Sequence, residues 1–84
     1  MYHLKIKRSA ERDLMKLPRS LFLRINQQIL ALRDDPRPPG VRKLQHNLEG
    51  WRIRVGNYRV LYQINDKEKI VTIFRVRHRR DVYL

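Results

Sequence analysis

Apolar and polar residues alternate with a period of two through several stretches of this chain. The clearest runs from Trp51 to Tyr62, on both sides of a Gly56-Asn57 pair. Trp51, Ile53 and Val55 precede the pair, and Tyr58, Val60 and Tyr62 follow it. Alternation with two residues of turn chemistry between predicts a β-hairpin. Gly56 at the first central position suits a type II′ turn, because glycine accepts a positive φ without steric cost. A two-residue loop sets Val55 against Tyr58, Ile53 against Val60 and Trp51 against Tyr62 on one apolar face. The other face then carries Arg52 opposite Leu61 and Arg54 opposite Arg59. Like charges directly opposite destabilise a sheet, so this face is either plainly solvated or built to receive an anion.

The rest of the chain extends the pattern. Tyr2, Leu4 and Ile6 alternate with His3, Lys5 and Lys7, which predicts a first strand with one buried face. Ser9 is the expected N-cap of a short helix whose stripe is Ala10, Leu14 and Leu17, ended by Pro18. A second helix is predicted from Arg19 to Arg33, with Leu21, Phe22, Ile25, Ile29 and Leu32 facing the core and Arg24, Gln27 and Gln28 outside. The short break between them suggests a helical hairpin. Asp34 to Gly40, with three prolines, is a loop whose paired aspartates read as solvated. Val41 to Glu49 leads into the hairpin, with Leu44 and Leu48 expected under its edge. After the polar turn Asn65 to Glu68, a last strand runs from Ile70 to Arg77. Simple alternation sends Ile70, Thr72, Phe74 and Val76 to the helices and Val71, Ile73, Arg75 and Arg77 to the other face. That face would hold five arginines (Arg52, Arg54, Arg59, Arg75 and Arg77) beside an apolar floor of Leu61, Val71 and Ile73. The expected fold is α+β: an N-terminal strand and helical hairpin packed on a small antiparallel β-sheet, one domain over 1–84.

Charge sharpens this picture. Twenty Lys+Arg stand against eight Asp+Glu, for a formal net charge of +12. The excess is spread through the fold, with nine basic and four acidic residues up to Gly40 and eleven and four after it. Such a domain is attracted to polyanions, nucleic acid first among them. Fourteen of the basic residues are arginine, which favours bidentate phosphate contacts and base stacking. There is no cysteine, which fits a reducing compartment and removes thiolate metal sites. No run approaches a membrane span and the N-terminus lacks a secretory apolar region, so a soluble, cytoplasmic protein is expected, with no membrane partner.

The order of elements, together with Arg52 to Tyr62 (RIRVGNYRVLY) and the closing Arg77-His78-Arg79-Arg80-Asp81-Val82-Tyr83, closely resembles the RelE toxins of the RelE/ParE superfamily over essentially the whole chain. The resemblance implies the toxin of a type II toxin–antitoxin system. It further implies a ribosome-dependent mRNA endonuclease acting in the A site, against mRNA and 16S rRNA, without metal or other cofactor. A small acidic, amphipathic antitoxin would hold it inactive, and DNA would be contacted only through that antitoxin. In such toxins the substrate's 2′-hydroxyl attacks the adjacent phosphate. Arg59 and Arg77 match the family's phosphate-stabilising and leaving-group arginines, and Tyr83 matches the terminal tyrosine that stacks on the substrate base. Arg52 and Arg54 fall where well-known members carry lysines, and Lys43, Arg75, Arg79 and Arg80 are further RNA-binding candidates. Arginine's high pKa makes it a poor base, so Glu49 and His78 become the candidate general bases, with His46 behind them, unless the ribosome supplies one. The alternatives are a ParE-like gyrase inhibitor and a non-catalytic basic RNA-binding module.

Overall fold

The computed structural model describes residues 1–45 and 49–81. Its elements run β1 (His3–Ile6), α1 (Arg8–Met15), α2 (Arg19–Ala31), β2 (Arg42–Lys43), β3 (Trp51–Val55), β4 (Tyr58–Asn65) and β5 (Ile70–His78). A 3₁₀ turn (Arg79–Asp81) closes the series. The strands form one sheet in the order β1-β5-β4-β3-β2. β1 joins β5 in parallel; the remaining pairings are antiparallel. The fold is α+β, with two helices over one face of a mixed sheet.

The core lies between that face and the helices. Ala10 and Leu14 of α1 and Ile25, Ile29 and Leu32 of the second helical segment meet Ile53, Val55, Val60, Tyr62, Val71, Ile73 and Val76. Burying Ile25, Ile29 and Leu32, each at most 1% exposed, contributes about 1.5–3 kcal/mol apiece. Tyr2, Leu4 and Ile6 pack against the same cluster, as their alternation requires. Each helix takes its main contact from the sheet, α1 from β5 and α2 from β3. Tyr62 is fully buried and its hydroxyl donates to the Pro36 carbonyl at 2.7 Å, which satisfies the one polar atom this ring carries into the interior.

Three expectations are corrected. Alternation fails in the middle of β5: Leu61 pairs with Arg75, but Tyr62 pairs with Ile73, so Phe74 is an extra residue and the register shifts by one. Val71 and Ile73 therefore enter the core at 0% exposure. Ile70 and Thr72 take the outer face instead, and the apolar floor reduces to Leu61. The physical reason stands on α1, which covers the edge of β5 past the end of β1. The Ser9 hydroxyl donates to the Phe74 carbonyl at 2.7 Å, and the Val76 N–H donates to Asp13 at 2.9 Å. Ser9 is thus not an N-cap. Helix α1 starts two residues earlier, at Arg8, with Lys7 as its cap residue and no side-chain cap bond. Finally, Arg42–Lys43 forms a two-residue edge strand on β3 where only an irregular lead-in was expected. Leu48 lies outside the described residues.

Candidate nucleic-acid interface

The hairpin forms as its sequence dictates. Val55 pairs with Tyr58, Arg54 with Arg59, Ile53 with Val60, Arg52 with Leu61 and Trp51 with Tyr62. Gly56 has φ +60, and Lys69 is the one non-glycine residue at positive φ among the described residues. Asn57 therefore keeps a negative φ, the signature of a type II′ turn. On the next strand Arg59 pairs with Arg77. Arg54, Arg59 and Arg77 thus stand in one row across three strands, their stems rooted within about 10 Å of one another at antiparallel spacing. The turn's carbonyls hold two of the guanidinium groups. Arg59 Nη1 donates to the Tyr58 oxygen at 3.1 Å and the Gly56 oxygen at 3.4 Å, and Arg54 Nε donates to the same Gly56 oxygen at 3.4 Å.

A fourth arginine arrives from the helices. A Cβ built on Gly56 would meet Arg24 Nη1 at 3.3 Å, so the Arg24 guanidinium lies against the turn that Arg54 and Arg59 clasp. Its sequence position on the solvent side of α2 gave no hint of this; the approach is set by how α2 crosses β3. The segment after β5 folds over the same turn. The Arg79 N–H donates to the Asn57 carbonyl at 2.7 Å, which brings the Arg79–Asp81 turn beside the row. One end of the molecule therefore collects Arg24, Arg54, Arg59, Arg77, Arg79 and Arg80, with Asp81 the acid among them. A hollow of about 250 Å³ opens there, lined by Arg77, His78, Arg80, Asp81, Lys16 and Asp13 among others.

The other predicted residues sort by distance from this row. Arg52 stands in the next row, between Arg42 and Leu61, about 7 Å along the strand. Arg75 pairs with Leu61 in that row, but its guanidinium is held by Asp13 of α1, Nε at 2.9 Å and Nη2 at 3.2 Å. It serves the bulge rather than the arginine cluster. His78 pairs with Tyr58, on the face opposite Arg59 and Arg77. Its ring meets the Tyr58 ring edge-on at 5.3 Å, and its Nδ1 accepts the Arg80 N–H at 3.3 Å. Glu49 lies before β3, lining a different hollow together with Lys43. The structure thus keeps Glu49 away from the row and sets His78 on the opposite face of β5, lining the hollow it shares with Arg77 and Arg80. Tyr83 and His46 lie outside the described residues.

The opposite end of the sheet is braced by a separate charge cluster. Asp66 accepts from Arg37 Nη2 at 2.8 Å and Nη1 at 3.2 Å, and from the Tyr2 hydroxyl at 2.6 Å. The bond from Arg37, then that from Tyr2, holds its carboxyl down at about 2. Reciprocally, the bond to Asp66 pushes the Tyr2 and Arg37 pKa values up, and burial pushes Tyr62 up. Among the described residues no three His, Cys, Asp or Glu side chains cluster as a metal site would need, and no helix is long and apolar enough to cross a membrane.

Comparison with known proteins agrees with this geometry. Residues 4–83 match the family model described as the ParE toxin of the type II toxin–antitoxin system parDE. Toxin RelG of Mycobacterium tuberculosis is 36% identical over 84 residues, covering 98% of this chain and 95% of that protein. Among solved structures, the RelBE2 toxin–antitoxin complex of the same organism superposes with a TM-score of 0.81 at 32% identity, covering 92% of this chain and 96% of the other. The archaeal RelE–RelB complex from Pyrococcus horikoshii gives 0.83 at 30% identity, covering 95% and 97%. With its helices over a mixed sheet and its arginines gathered at the hairpin turn, the chain belongs to the RelE/ParE family of type II toxin–antitoxin toxins.

Proposed function

We propose that this toxin is a ribosome-dependent endonuclease that cleaves mRNA in the A site, and that the row Arg54–Arg59–Arg77 is where the scissile phosphate is held. The register that aligns these three arginines across β3, β4 and β5 is the observation that carries the reading. Attack by the substrate's 2′-hydroxyl concentrates negative charge on a five-coordinate phosphorus, and preorganised cations aimed at that charge lower the barrier. Backbone carbonyls of the turn fix Arg54 and Arg59 in advance, so little reorganisation accompanies the reaction. Arg24 adds a cation from the helix side. Tyr83 in this reading stacks on the neighbouring base.

Proton transfer is the part that this chain's arginines do not supply. Guanidinium groups stay protonated at physiological pH and cannot take the 2′-hydroxyl proton. His78 stands on the face of β5 opposite Arg59 and Arg77, its Nδ1 already accepting the Arg80 N–H, and Glu49 lies at the far end of β3. The base is therefore assigned to the ribosome or to solvent held in the A site, which gives the ribosome dependence a chemical cause. The partner in the resting state is a cognate antitoxin, as in the RelBE2 and RelE–RelB complexes named above. Leu23 and Leu30, seven residues apart on α2, and Met15 on α1 are exposed apolar side chains on a strongly cationic domain, and an amphipathic acidic segment is complementary to such a surface.

Primer extension on a reporter mRNA after brief expression tests the reading, wild type beside Arg59→Ala. Codon-phased cuts that require translation and vanish in the variant are expected. An intact message under arrested growth would replace the reading with a ParE-like one, which the name of the matching family model keeps in view and a gyrase supercoiling assay decides.

A further inference from the structure

On the outer face of the sheet, past Leu61, lies an open cup of about 890 Å³. Its floor is Lys5, Thr72 and Gln63, adjacent in the register because Thr72 pairs with Lys5 on one side and with Gln63 on the other. One wall is the chain around Leu44 and Gly50. The Leu44 N–H donates to the Gly50 carbonyl at 3.1 Å, and a Cβ on Gly50 would sit 2.8 Å from the Tyr62 oxygen and 3.0 Å from Leu44 Cδ1. The wall is thus set flush against β4, at a position that admits no side chain. Asn65 and Lys67 at the β4–β5 turn also line it, as do Lys43, Trp51, Ile64 and Ile70.

The chemistry of the lining is mixed in a particular way. Lys5, Lys43 and Lys67 supply three ammonium groups against Glu49 and Asp66, and Asp66 is already engaged by Arg37. The local balance is positive. Between the lysines stand Gln63, Asn65 and Thr72, whose amides and hydroxyl match the edges of an unpaired base. An acidic peptide could satisfy the same groups, but the cup lies on the same face as the arginine row, in line with an RNA strand held there. Gln63 is four residues from Arg59 along β4, roughly 13 Å at strand spacing, and both lie on the same face.

We propose that this cup is a second nucleotide subsite, which takes a phosphate and base of the same single-stranded RNA whose scissile phosphate lies among Arg54, Arg59 and Arg77. The proposal rests on the reading of the arginine row as an RNA phosphate site. The strand then crosses the sheet past Arg52, and the cup sets which flanking sequence the toxin prefers.

The test is binding without cleavage. Fully 2′-O-methylated RNAs, a dinucleotide and an oligomer of about eight, are titrated by fluorescence anisotropy across a salt series. The proteins are wild type, the combined Lys5→Ala/Lys43→Ala/Lys67→Ala variant, Gln63→Ala and Arg59→Ala. The lysine variant is expected to bind the dinucleotide normally and to lose about tenfold for the oligomer at low salt. Its slope of log affinity against log salt should shrink by roughly 0.7 for each phosphate released. Gln63→Ala should alter base preference at one flanking position and leave the slope unchanged. The subsite is refuted if the lysine variant binds the oligomer as wild type does, or weakens both lengths equally. It is also refuted if wild type binds neither length, or if a polyglutamate peptide occupies the cup in preference to RNA. None of these outcomes touches the cleavage reading, which the Arg59→Ala primer-extension pattern decides alone.

Discussion

Asp13 is the side chain on which the position of Arg77 depends, and its removal makes a graded prediction. Its carboxylate accepts three hydrogen bonds, two from Arg75 and one from the Val76 N–H. Val76 is 4% exposed, so in Asp13→Ala its N–H is left without an acceptor, worth about 1–3 kcal/mol. The ion pair is worth less than a fully buried one: the Asp13 side chain is 13% exposed but Arg75 is 38% exposed, and solvent screening brings its share to about 1 kcal/mol. Alanine's better helix propensity returns about half a kcal/mol. The net loss for Asp13→Ala is about 2–3 kcal/mol. Asp13→Asn keeps an acceptor for Val76 and loses only the charge, so it should cost about 1 kcal/mol.

Urea denaturation followed by circular dichroism measures both, with the midpoint moving and the slope unchanged. For a domain of this size the alanine variant should melt roughly 10–15 °C lower. A double-mutant cycle with Arg75→Ala should return a coupling near 1 kcal/mol. Two results would refute the reasoning: Asp13→Ala within 0.5 kcal/mol of wild type, or Asp13→Asn as damaging as Asp13→Ala. The second would mean that charge, and not the acceptor for Val76, holds the bulge.

Three further outcomes are expected. Gly50→Ala combines a Cβ 2.8 Å from a backbone oxygen with φ +137, and should lose about 3 kcal/mol in the same urea assay; a neutral result would show that the wall of the cup moves freely. Asp66 should titrate at about 2 in NMR of its carboxyl carbon, below the ordinary aspartate value near 3.9. Because the folded pKa is the lower one, its contribution to stability is present above about pH 4 and lost as pH falls through about 2, and Asp66→Asn should abolish that part of the acid limb. Arg59→Gln removes a like charge between Arg54 and Arg77, and at low salt should stabilise the fold by a few tenths to about 1 kcal/mol. That gain should shrink in high salt while cleavage is lost; destabilisation at low salt would show that the turn carbonyls already offset the repulsion.

What could be read from the sequence, and what could not, follows the range of the forces involved. The hairpin was legible down to its residue pairs, because turn type and alternation are decided within twelve residues. Arg54 opposite Arg59 came with it. The bulge was not legible, since Ile70, Val71, Thr72 and Ile73 are acceptable on either face of a sheet. What selects their side is Ser9 and Asp13, more than sixty residues away in sequence. Ser9 misled for the same reason: next to a helix start it looks like a cap, and only the fold reveals the Phe74 carbonyl within reach. The two-residue strand Arg42–Lys43 carries no apolar alternation to announce it. Arg24 sits among polar residues on an amphipathic helix, and nothing local distinguishes it from Gln27 or Gln28.

The bulge also resolves a conflict written into β5. Val71 and Ile73 belong in the core and are fully buried there. Strict alternation from them would carry Arg75 and Arg77 into the core as well and turn Val76 outward. Placing Arg77 on the outer face instead, as simple alternation from Phe74 and Val76 suggests, would expose Val71 and Ile73. No unbroken register satisfies both halves of the strand. One extra residue at Phe74 flips the faces midway, so that Val71, Ile73 and Val76 are all buried while Arg77 stands beside Arg59. Bulges re-aim side chains in this way, and the bonds from Ser9 and to Asp13 are what fix this one. Helix α1 therefore contributes to the arginine row without touching it: by setting where β5 shifts register, it sets which face Arg77 occupies.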